Sequence, residues 1–248
     1  MGRLQRSANF SGERPNPPTD PMSATPIHPE TPANPAAALD GGGRLGAMPC
    51  SSRTDMLAGC RRMPPKSPLL LYSGGLDSTV LLYDVMPAAA LFLRYGQTHS
   101  KEYDWAKWHC GKKKIPLHVI TLPTLQGSSL TGGVGTFIVP CRNLIFLAIA
   151  ANWAVAHGHD QITIGANATD RDLFPDCRLG FLEYVRHAIK GSGYEMRVEA
   201  PLLDMTKKDI ADRAKFLGIK RSMVWSCYAG GAKPCGECAA CKAEEGVW

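Results

Sequence analysis

The stretch LLLYSGGLDSTVLL, residues 69–82, decides the fold of this chain. A short apolar run typical of a buried strand ends in Ser73, Gly74 and Gly75, and an apolar run with helical spacing follows it. The two glycines allow positive φ angles and a close approach of the backbone to a ligand. The first N–H groups of the helix behind them have no intrahelical acceptor and carry the positive end of its dipole. We therefore expect an anion site between this strand and this helix.

Strand-like and helix-like segments alternate from residue 68 onward. The segment 143–157 is apolar on nearly every side, which predicts a position in the interior. The alternation predicts an α/β fold with a doubly wound parallel sheet of about five strands, whose ligands bind beyond the carboxyl ends of the strands. We expect strands over 69–72, 89–95, 117–122, 161–165 and 196–200, and helices over 77–85, 98–113, 143–157, 177–190 and 206–217, the last capped by Gly218.

Composition divides the 248 residues into three parts. Residues 1–66 hold eleven of the nineteen prolines and show no periodicity, which predicts a disordered tail. Residues 67–222 are expected to form the main domain, and residues 223–248 a small cysteine-rich segment. The formal net charge of +6 without a long basic block predicts no direct contact with nucleic acid. There is no apolar window of roughly 20 residues and no signal-peptide core, so we expect a cytoplasmic protein without a membrane span.

Four of the nine cysteines cluster near the C-terminus. Cys227, Cys235, Cys238 and Cys241 have the spacing C-x7-C-x2-C-x2-C. Four thiolates at such spacing are typical of a closed, structural Zn²⁺ site. An iron–sulfur cluster and a redox-active or sulfur-carrying pair remain alternatives, since the same ligands serve all three.

The absence of two common phosphate-binding motifs restricts which kind of anion site the loop can form. No G-x-x-x-x-G-K-[ST] and no G-x-G-x-x-G motif is present, so neither a P-loop nor a dinucleotide fingerprint is predicted. The S-G-G-x-D-S pattern resembles the pyrophosphate loop (PP-loop) of the ATP pyrophosphatase superfamily, whose members cleave ATP between its α and β phosphates. In that resemblance Asp77 is a Mg²⁺ ligand or orienting group, because a carboxylate beside phosphates otherwise repels them. The alternative is an ordinary turn in which Asp77 only complements the helix dipole.

The order of further motifs narrows the resemblance. Together they look like the 7-cyano-7-deazaguanine synthase family, over about residues 67–245. The combination is far more specific than the loop alone, which many ligases share. After the loop come RYGQTHSKE, GSSLTGG, VPCRNLIFLAIAANWA, IGANATDRDLFPDCR, APLLDMTKKDI and CGECAAC.

The resemblance implies an adenine nucleotide alpha hydrolase-like fold and an ATP-dependent ligase. It implies conversion of 7-carboxy-7-deazaguanine and ammonia to 7-cyano-7-deazaguanine (preQ0), through an adenylated carboxylate and an adenylated amide, in queuosine or deazaguanine biosynthesis. ATP, Mg²⁺ and Zn²⁺ are the implied cofactors, and the family suggests a homodimer.

Residue roles follow from the resemblance in the same way. Nucleotide contacts are expected from Tyr72, Ser73, Gly74, Gly75, Leu76, Asp77, Ser78, Thr79, Val80, Leu81 and Leu82. Substrate contacts are expected from Arg142, Asn143, Asn167, Asp170, Asp176 and Arg178. Catalytic roles are expected of Ser73, Asp77, Ser78, Arg142 and Lys207. A helix cap at Asp176, a surface arginine at Arg142 and a solvated surface lysine at Lys207 are the structural alternatives.

Three positions depart from the family pattern. Cys141 stands where glycine is common, Arg94 where an acidic residue is usual, and Phe174 where tyrosine is usual. Two other functions remain open on the sequence. One is a PP-loop tRNA thiolase, or another adenylating enzyme that modifies nucleotides, and the other is a nucleotide-sensing or zinc-ribbon module without catalysis.

Overall fold

The computed structural model describes residues 68–98 and 101–248, so the predicted tail over 1–66 lies outside the described residues. Five parallel strands form one sheet in the order β3-β2-β1-β4-β5. The predicted doubly wound α/β fold is confirmed. The strands are β1 Leu69–Leu71, β2 Ala89–Arg94, β3 Leu117–Thr121, β4 Gln161–Thr163 and β5 Arg197–Glu199.

Helices connect the strands on both faces of the sheet. The helix predicted from residue 177 begins at Leu179, because Pro175–Cys177 forms a separate 3₁₀ turn and Arg178 is extended. Gly218 adopts a left-handed φ of 71° just beyond the last long helix, as predicted for its cap. The helices are α1 Leu76–Val85, α2 Lys101–Lys113, α3 Arg142–His157, α4 Ala168–Leu173, α5 Leu179–Gly191, α6 Lys207–Phe216 and α7 Ala239–Ala243.

Two hydrophobic cores cover the two faces of the sheet. Alternate side chains of β1 serve both, because Leu70 packs into the core with α1, α2 and α6 while Leu69 packs into the core with α3 and α5. Both leucines are fully buried. A continuous leucine run rather than an alternating pattern is what a central parallel strand requires, since both of its faces are dry.

The interior position predicted for the helix over 143–157 is wrong. In α3 only one face is buried, through Leu147, Ala150, Ala151 and Ala154. On the opposite face Ala148, Asn152 and Ala156 are exposed. The physical reason is the layering: α3 is an outer layer that packs on one side of the sheet, so its second apolar face has no layer to cover it.

The anion loop lies where the chain reverses direction across the sheet. From β1 the chain adds β2 and β3 on one side, and then crosses to place β4 on the other side of β1. In such a sheet a crevice opens between the carboxyl ends of the two strands at the reversal. Gly165 follows β4, and a Cβ atom there would lie 3.3 Å from the backbone nitrogen of Ser78, so the two loops meet closely.

A capping box fixes the start of α6. The Thr206 hydroxyl accepts a hydrogen bond from the backbone N–H of Asp209 at 3.2 Å, and the Asp209 carboxylate accepts one from the backbone N–H of Thr206 at 2.9 Å. This arrangement places Lys207 at the first helical position. Within the described part of the chain, no helix is long and apolar enough to cross a membrane.

Candidate active site

The phosphate loop, residues 73–78, is held by its own hydroxyl groups. The Oγ atoms of Ser73 and Ser78 lie 3.0 Å apart, and Ser78 Oγ accepts from the backbone N–H of Ser73 at 3.3 Å. The backbone N–H of Gly75 donates to Ser73 Oγ at 3.3 Å. These bonds curl the loop around the N-terminus of α1, where the N–H groups of the first turn face an incoming anion.

Gly74 is required by the backbone on two grounds. Its φ of 82° lies in the left-handed region. A Cβ atom at this position would overlap the carbonyl oxygen of Glu102 and lie 3.2 Å from the backbone nitrogen of Ala106, both in α2. The loop therefore rests directly on the backbone of α2.

Asp77 is the centre of a charged network. Its Oδ2 accepts from Lys207 Nζ at 2.6 Å and from Asn167 Nδ2 at 3.2 Å. Both members of the ion pair are mostly buried, with 17% of each side chain exposed. Burial alone would lower the pKa of Lys207, but the carboxylates of Asp77 and Asp170 raise it overall, so the lysine stays charged. The lysine that the loop lacks in sequence is thus supplied by α6.

The second oxygen of Asp77 fits a divalent cation. Oδ1 is buried, and no hydrogen-bond partner for it is found among the described residues. A buried carboxylate oxygen left without a donor is costly, and an oxygen-binding cation such as Mg²⁺ is a suitable partner for it. Asp77 also lines the cavity described below, so such a cation would face the ligand.

Asn167 joins Asp77 to a second carboxylate. Its Nδ2 also donates to Asp170 Oδ2 at 2.6 Å, and its Oδ1 accepts from the backbone N–H of Asp170 at 3.1 Å. Asn167 is fully buried as the cap of α4. Burial raises the pKa of Asp170, which Lys207 partly opposes. Asn167 therefore acts on the site by orienting two carboxylates rather than by lining it.

A single cavity of about 540 Å³ joins these groups. It opens at the carboxyl ends of β1 and β4, as the fold predicts. Among the residues predicted from sequence, those that line it are Tyr72, Ser73, Gly75, Leu76, Asp77, Ser78, Arg142, Asn143, Asp170, Asp176 and Lys207. Arg142 and Lys207 thus face a cavity that the loop also faces, rather than standing as separate surface cations.

Other predicted residues lie behind the cavity. Val80, Leu81 and Leu82 belong to α1 and point into the core that it covers. Thr79, also in α1, hydrogen-bonds the Tyr72 hydroxyl at 3.2 Å. In the described part of the chain, none of these four residues belongs to the cavity lining. Their predicted nucleotide contacts stay predictions, and their visible role is to support the loop.

Arg178 also lies apart from the cavity. Its Nε donates to the carbonyl oxygen of Arg171 at 3.2 Å on the surface. It is absent from the lining formed by the described residues. By contrast, Asn143 faces the cavity and donates to the backbone oxygen of Asp176 at 3.3 Å and to Cys177 Sγ at 3.4 Å. The predicted contact of Arg178 with substrate stays a prediction.

Arg142 lies among aromatic residues that sequence reasoning did not single out. It hydrogen-bonds Tyr95, and its pKa is raised: burial would lower it, but Tyr95, Tyr228 and Asp176 outweigh burial. Its guanidinium carbon lies 5.9 Å from the ring centroid of Phe146. Tyr95 belongs to the RYGQTHSKE motif and Tyr228 directly follows Cys227, but neither tyrosine carries motif chemistry of its own in the sequence.

The four clustered cysteines come together as predicted from their spacing. Their Sγ atoms all lie within 4.8 Å of one another, and those of Cys235 and Cys241 are 3.9 Å apart. Backbone N–H groups of Glu237 and Cys238 donate to Cys235 and lower the pKa of its thiol to about 6. Burial raises the pKa of the Cys241 thiol to about 12, so the thiolate is favoured at Cys235 and not at every sulfur. The close grouping of the four sulfurs is what allows the cluster to hold a metal ion.

The cysteine segment, residues 223–248, also closes the cavity. Ser226, Tyr228, Ala239, Ala240 and Glu244 all contribute to the lining. Glu244 is buried and pairs with Arg221 at 2.8 Å. The segment is therefore a wall of the site and also carries the four clustered cysteines.

A family model described as "Queuosine biosynthesis protein QueC" matches residues 67–247. This chain belongs to the QueC family. A 7-cyano-7-deazaguanine synthase from Caldicellulosiruptor bescii is 37% identical over 194 residues, covering 70% of this chain and 88% of the relative. One from Thermoplasma acidophilum is 37% identical over 205 residues, covering 72% and 86%. QueC relatives thus match this chain over the part that holds the loop, the cavity and the cysteines.

Solved structures with a similar fold are more distant from this QueC chain. The U34-tRNA thiolase NcsA from Methanococcus maripaludis has a TM-score of 0.46 at 19% identity, covering 61% of this chain and 57% of its own. The NMN synthetase from Francisella tularensis has a TM-score of 0.46 at 15% identity, covering 68% and 69%.

Proposed function

We propose that this protein is an ATP-dependent ligase that converts 7-carboxy-7-deazaguanine and ammonia to 7-cyano-7-deazaguanine (preQ0). The QueC family and the names of its relatives support this reaction. One structural observation carries the proposal for this chain: the phosphate loop, the Asp77–Lys207 pair and Arg142 all face one cavity of about 540 Å³. A nucleotide and a carboxylate can therefore meet there.

The loop end of the cavity is suited to the triphosphate. The N–H groups of the first turn of α1 and the hydroxyls of Ser73 and Ser78 bind the β and γ phosphates. Lys207 neutralises charge on them from the opposite side. Asp77 would hold a Mg²⁺ ion at this end of the cavity, and the ion would supply positive charge that stabilises the departing pyrophosphate. Leu76 and Tyr72 shape the lining beside them.

The reaction follows from the need to remove two poor leaving groups. The substrate carboxylate attacks the α-phosphorus, pyrophosphate leaves, and ammonia displaces AMP to give the amide and a proton. The amide oxygen then attacks the α-phosphorus of a second ATP, pyrophosphate leaves again, and AMP departs with two protons from nitrogen to give the nitrile. Arg142 presents a planar pair of donors to the carboxylate, which holds it for in-line attack.

Polar groups past β4 are suited to the deazaguanine ring. Asp170 and Asp176 line the cavity and can accept from amino and ring N–H groups, while Asn143 fixes the backbone of Asp176 at 3.3 Å. The cysteine cluster would hold Zn²⁺ in a closed structural site. We further propose a cytoplasmic enzyme, a homodimer, and no direct nucleic-acid partner.

The experiment is an incubation with 7-carboxy-7-deazaguanine, ammonium and Mg·ATP, followed by mass spectrometry for the nitrile and for AMP. The proposal predicts both products, and ¹⁵N-ammonium should label the nitrile. If folded, metal-loaded protein forms neither product, the proposed function is rejected. A brown preparation that carries an iron–sulfur cluster and transfers sulfur to tRNA would identify a thiolase instead.

A further inference from the structure

The cavity has a second end that the phosphate chemistry does not use. Here Arg142 lies beside Tyr95, Phe146 and Tyr228, Phe137 packs on Tyr228, and all five residues line the cavity. The ring centroids of Tyr95 and Phe146 are 5.1 Å apart, and those of Phe137 and Tyr228 are 5.4 Å apart. An arginine enclosed by aromatic rings is suited to a planar aromatic anion, because rings stack on rings and the guanidinium pairs with a carboxylate.

Tyr228 stands between the two ends of the cavity. Its ring packs against Phe137, and Tyr228 lines the same cavity as Arg142, Asp170 and Lys207. A group in this position contacts whatever molecule lies between Arg142 and the carboxylates past β4.

The cysteine segment fixes Tyr228 from both sides. On one side the indole N–H of Trp225 donates to the carbonyl oxygen of Cys227 at 2.9 Å. On the other side the backbone N–H of Ala229 donates to Cys227 Sγ at 3.4 Å. Cys227 itself is fully buried. These two bonds tie the backbone on either side of Tyr228 to Cys227, so a segment held at the cysteine cluster presents Tyr228 to the cavity.

We propose that Tyr228 is a specificity-determining residue that contacts the ring of the heteroaromatic carboxylate substrate, and that the cysteine segment presents it beside Arg142. This rests on the proposed function. The phosphate loop and Lys207 already occupy the nucleotide end. The aromatic end is left for the second substrate, whose flat ring and carboxylate match the flat rings and the guanidinium.

The test compares Tyr228→Ala and Tyr228→Phe with Tyr184→Ala. Tyr184 is 76% exposed and lies outside the cavity lining of the described residues, so it is the matched control. We expect the alanine variant to raise the KM for 7-carboxy-7-deazaguanine by about tenfold, the cost of truncating a buried aromatic contact. Its KM for ATP should stay within about twofold of wild type, a margin well below that cost.

Two further measurements separate contact from folding. Calorimetric titration with the carboxylate in the absence of ATP should show the same loss of affinity, and metal analysis should show unchanged metal per chain. The phenylalanine variant keeps the ring, so its KM should stay within about threefold of wild type. Should the alanine variant fail to fold, Tyr228→Leu replaces it, because leucine keeps apolar bulk without the ring.

Three outcomes would overturn the proposal. An unchanged KM for the carboxylate in the alanine variant excludes the contact. A KM for ATP that rises as much as the KM for the carboxylate places Tyr228 on the nucleotide side. A phenylalanine variant as defective as the alanine variant excludes the ring as the recognised feature. Wild-type protein that makes no nitrile contradicts the proposed function instead, so the two failures are distinguishable.

Discussion

The carbonyl oxygen of Gly74 accepts a hydrogen bond from the backbone N–H of Trp225 at 3.3 Å. This bond joins the phosphate loop to the cysteine segment. The Trp225 indole in turn donates to Cys227, and Lys101 Nζ lies 4.3 Å from the Trp225 ring centroid. The cysteine cluster and the phosphate loop are therefore joined through the same tryptophan, and disturbance of one should reach the other.

The first prediction concerns loss of the metal. Cys238→Ser should remove bound metal, lower the melting temperature and weaken ATP binding, because Trp225 loses its anchor at the cluster. Cys141→Ser, at an exposed cysteine outside the cluster, should keep the metal and the affinity. Metal analysis, thermal unfolding and ATP titration measure the three effects. Normal ATP affinity in metal-free Cys238→Ser protein would contradict the coupling.

The second prediction concerns the tight turn of the loop. Gly74→Ala should destabilise the fold by more than about 2 kcal/mol, because alanine is strained at a positive φ and its Cβ would meet the backbone of α2. Gly111→Ala is the matched control, since nothing lies within 4 Å of a Cβ there. Gly111 is in α2, so alanine should stabilise the protein by about 0.5 kcal/mol. Urea unfolding measures both; equal effects would show that space at Gly74 is not limiting.

The third prediction compares two ion-paired aspartates on α1. Asp77→Asn should lower kcat for nitrile formation by about 10² to 10³, because a buried charge facing the phosphates is lost. Asp84→Asn breaks a pair with Arg213 at 2.9 Å on the surface and should leave kcat unchanged. AMP release at saturating substrates is the measurement. Similar rates for the two variants would argue against a catalytic Asp77.

The fourth prediction concerns a strained cysteine. Cys141 has φ 56° and ψ 19° as the cap of α3, a conformation that costs a non-glycine residue about 1–2 kcal/mol. Glycine removes this strain but adds about 0.4–1 kcal/mol of unfolded-state entropy. Cys141→Gly should therefore stabilise the protein by about 0.5 kcal/mol, or about 1–2 °C in melting temperature. Cys141→Ala, which keeps the Cβ atom, should give no gain.

The fifth prediction concerns acid stability. His109 is fully buried: its Nε2–H donates to the carbonyl oxygen of Met223 at 2.7 Å and its Nδ1 accepts from the Tyr83 hydroxyl at 2.9 Å. Burial lowers its pKa, with smaller effects of neighbouring lysines. In the unfolded chain His109 binds a proton as the pH falls below about 6.5, whereas in the folded protein it stays neutral to a lower pH. The free energy of unfolding therefore falls as the pH drops below about 6.5.

The measurement for His109 is the free energy of unfolding at pH 7.5 and pH 5.5. Wild type should lose more stability between these values than His109→Gln, which cannot take up the proton. His187→Gln, at an exposed histidine, should lose as much as wild type. If the three proteins respond equally, another group is responsible for the acid sensitivity.

The sequence predicted the sheet, the loop and the cysteine cluster because each depends on local spacing. The strand Leu69–Leu71 is followed by Gly74 and Gly75 within four residues, so this pattern can be read from one short stretch of sequence. Four cysteines separated by short turns can reach one another without help from distant elements. The interior position of α3 was wrong because apolar composition does not reveal how many layers cover a helix.

Contacts between elements that are distant in sequence could not be predicted from local spacing. The pairing of Lys207 with Asp77 depends on where α6 crosses the sheet, which no local pattern encodes. The predicted substrate contact of Asn167 stays a prediction, and its bonds to Asp77 and Asp170, which orient two carboxylates, have no local signal in the sequence. The sequence does not predict a role for Tyr95 or Tyr228, because only tertiary packing places them beside Arg142.

The residues that line the cavity range along the chain from Leu71 in β1 to Glu244 just after α7. During translation, therefore, the phosphate loop is synthesised long before the residues that complete the cavity around it. A product terminated ahead of Ala239 would still carry every strand of the sheet and the residues of the phosphate loop, yet it would lack Cys241 and one side of the cavity. Premature stop codons late in this reading frame should thus be as damaging to preQ0 formation as early ones.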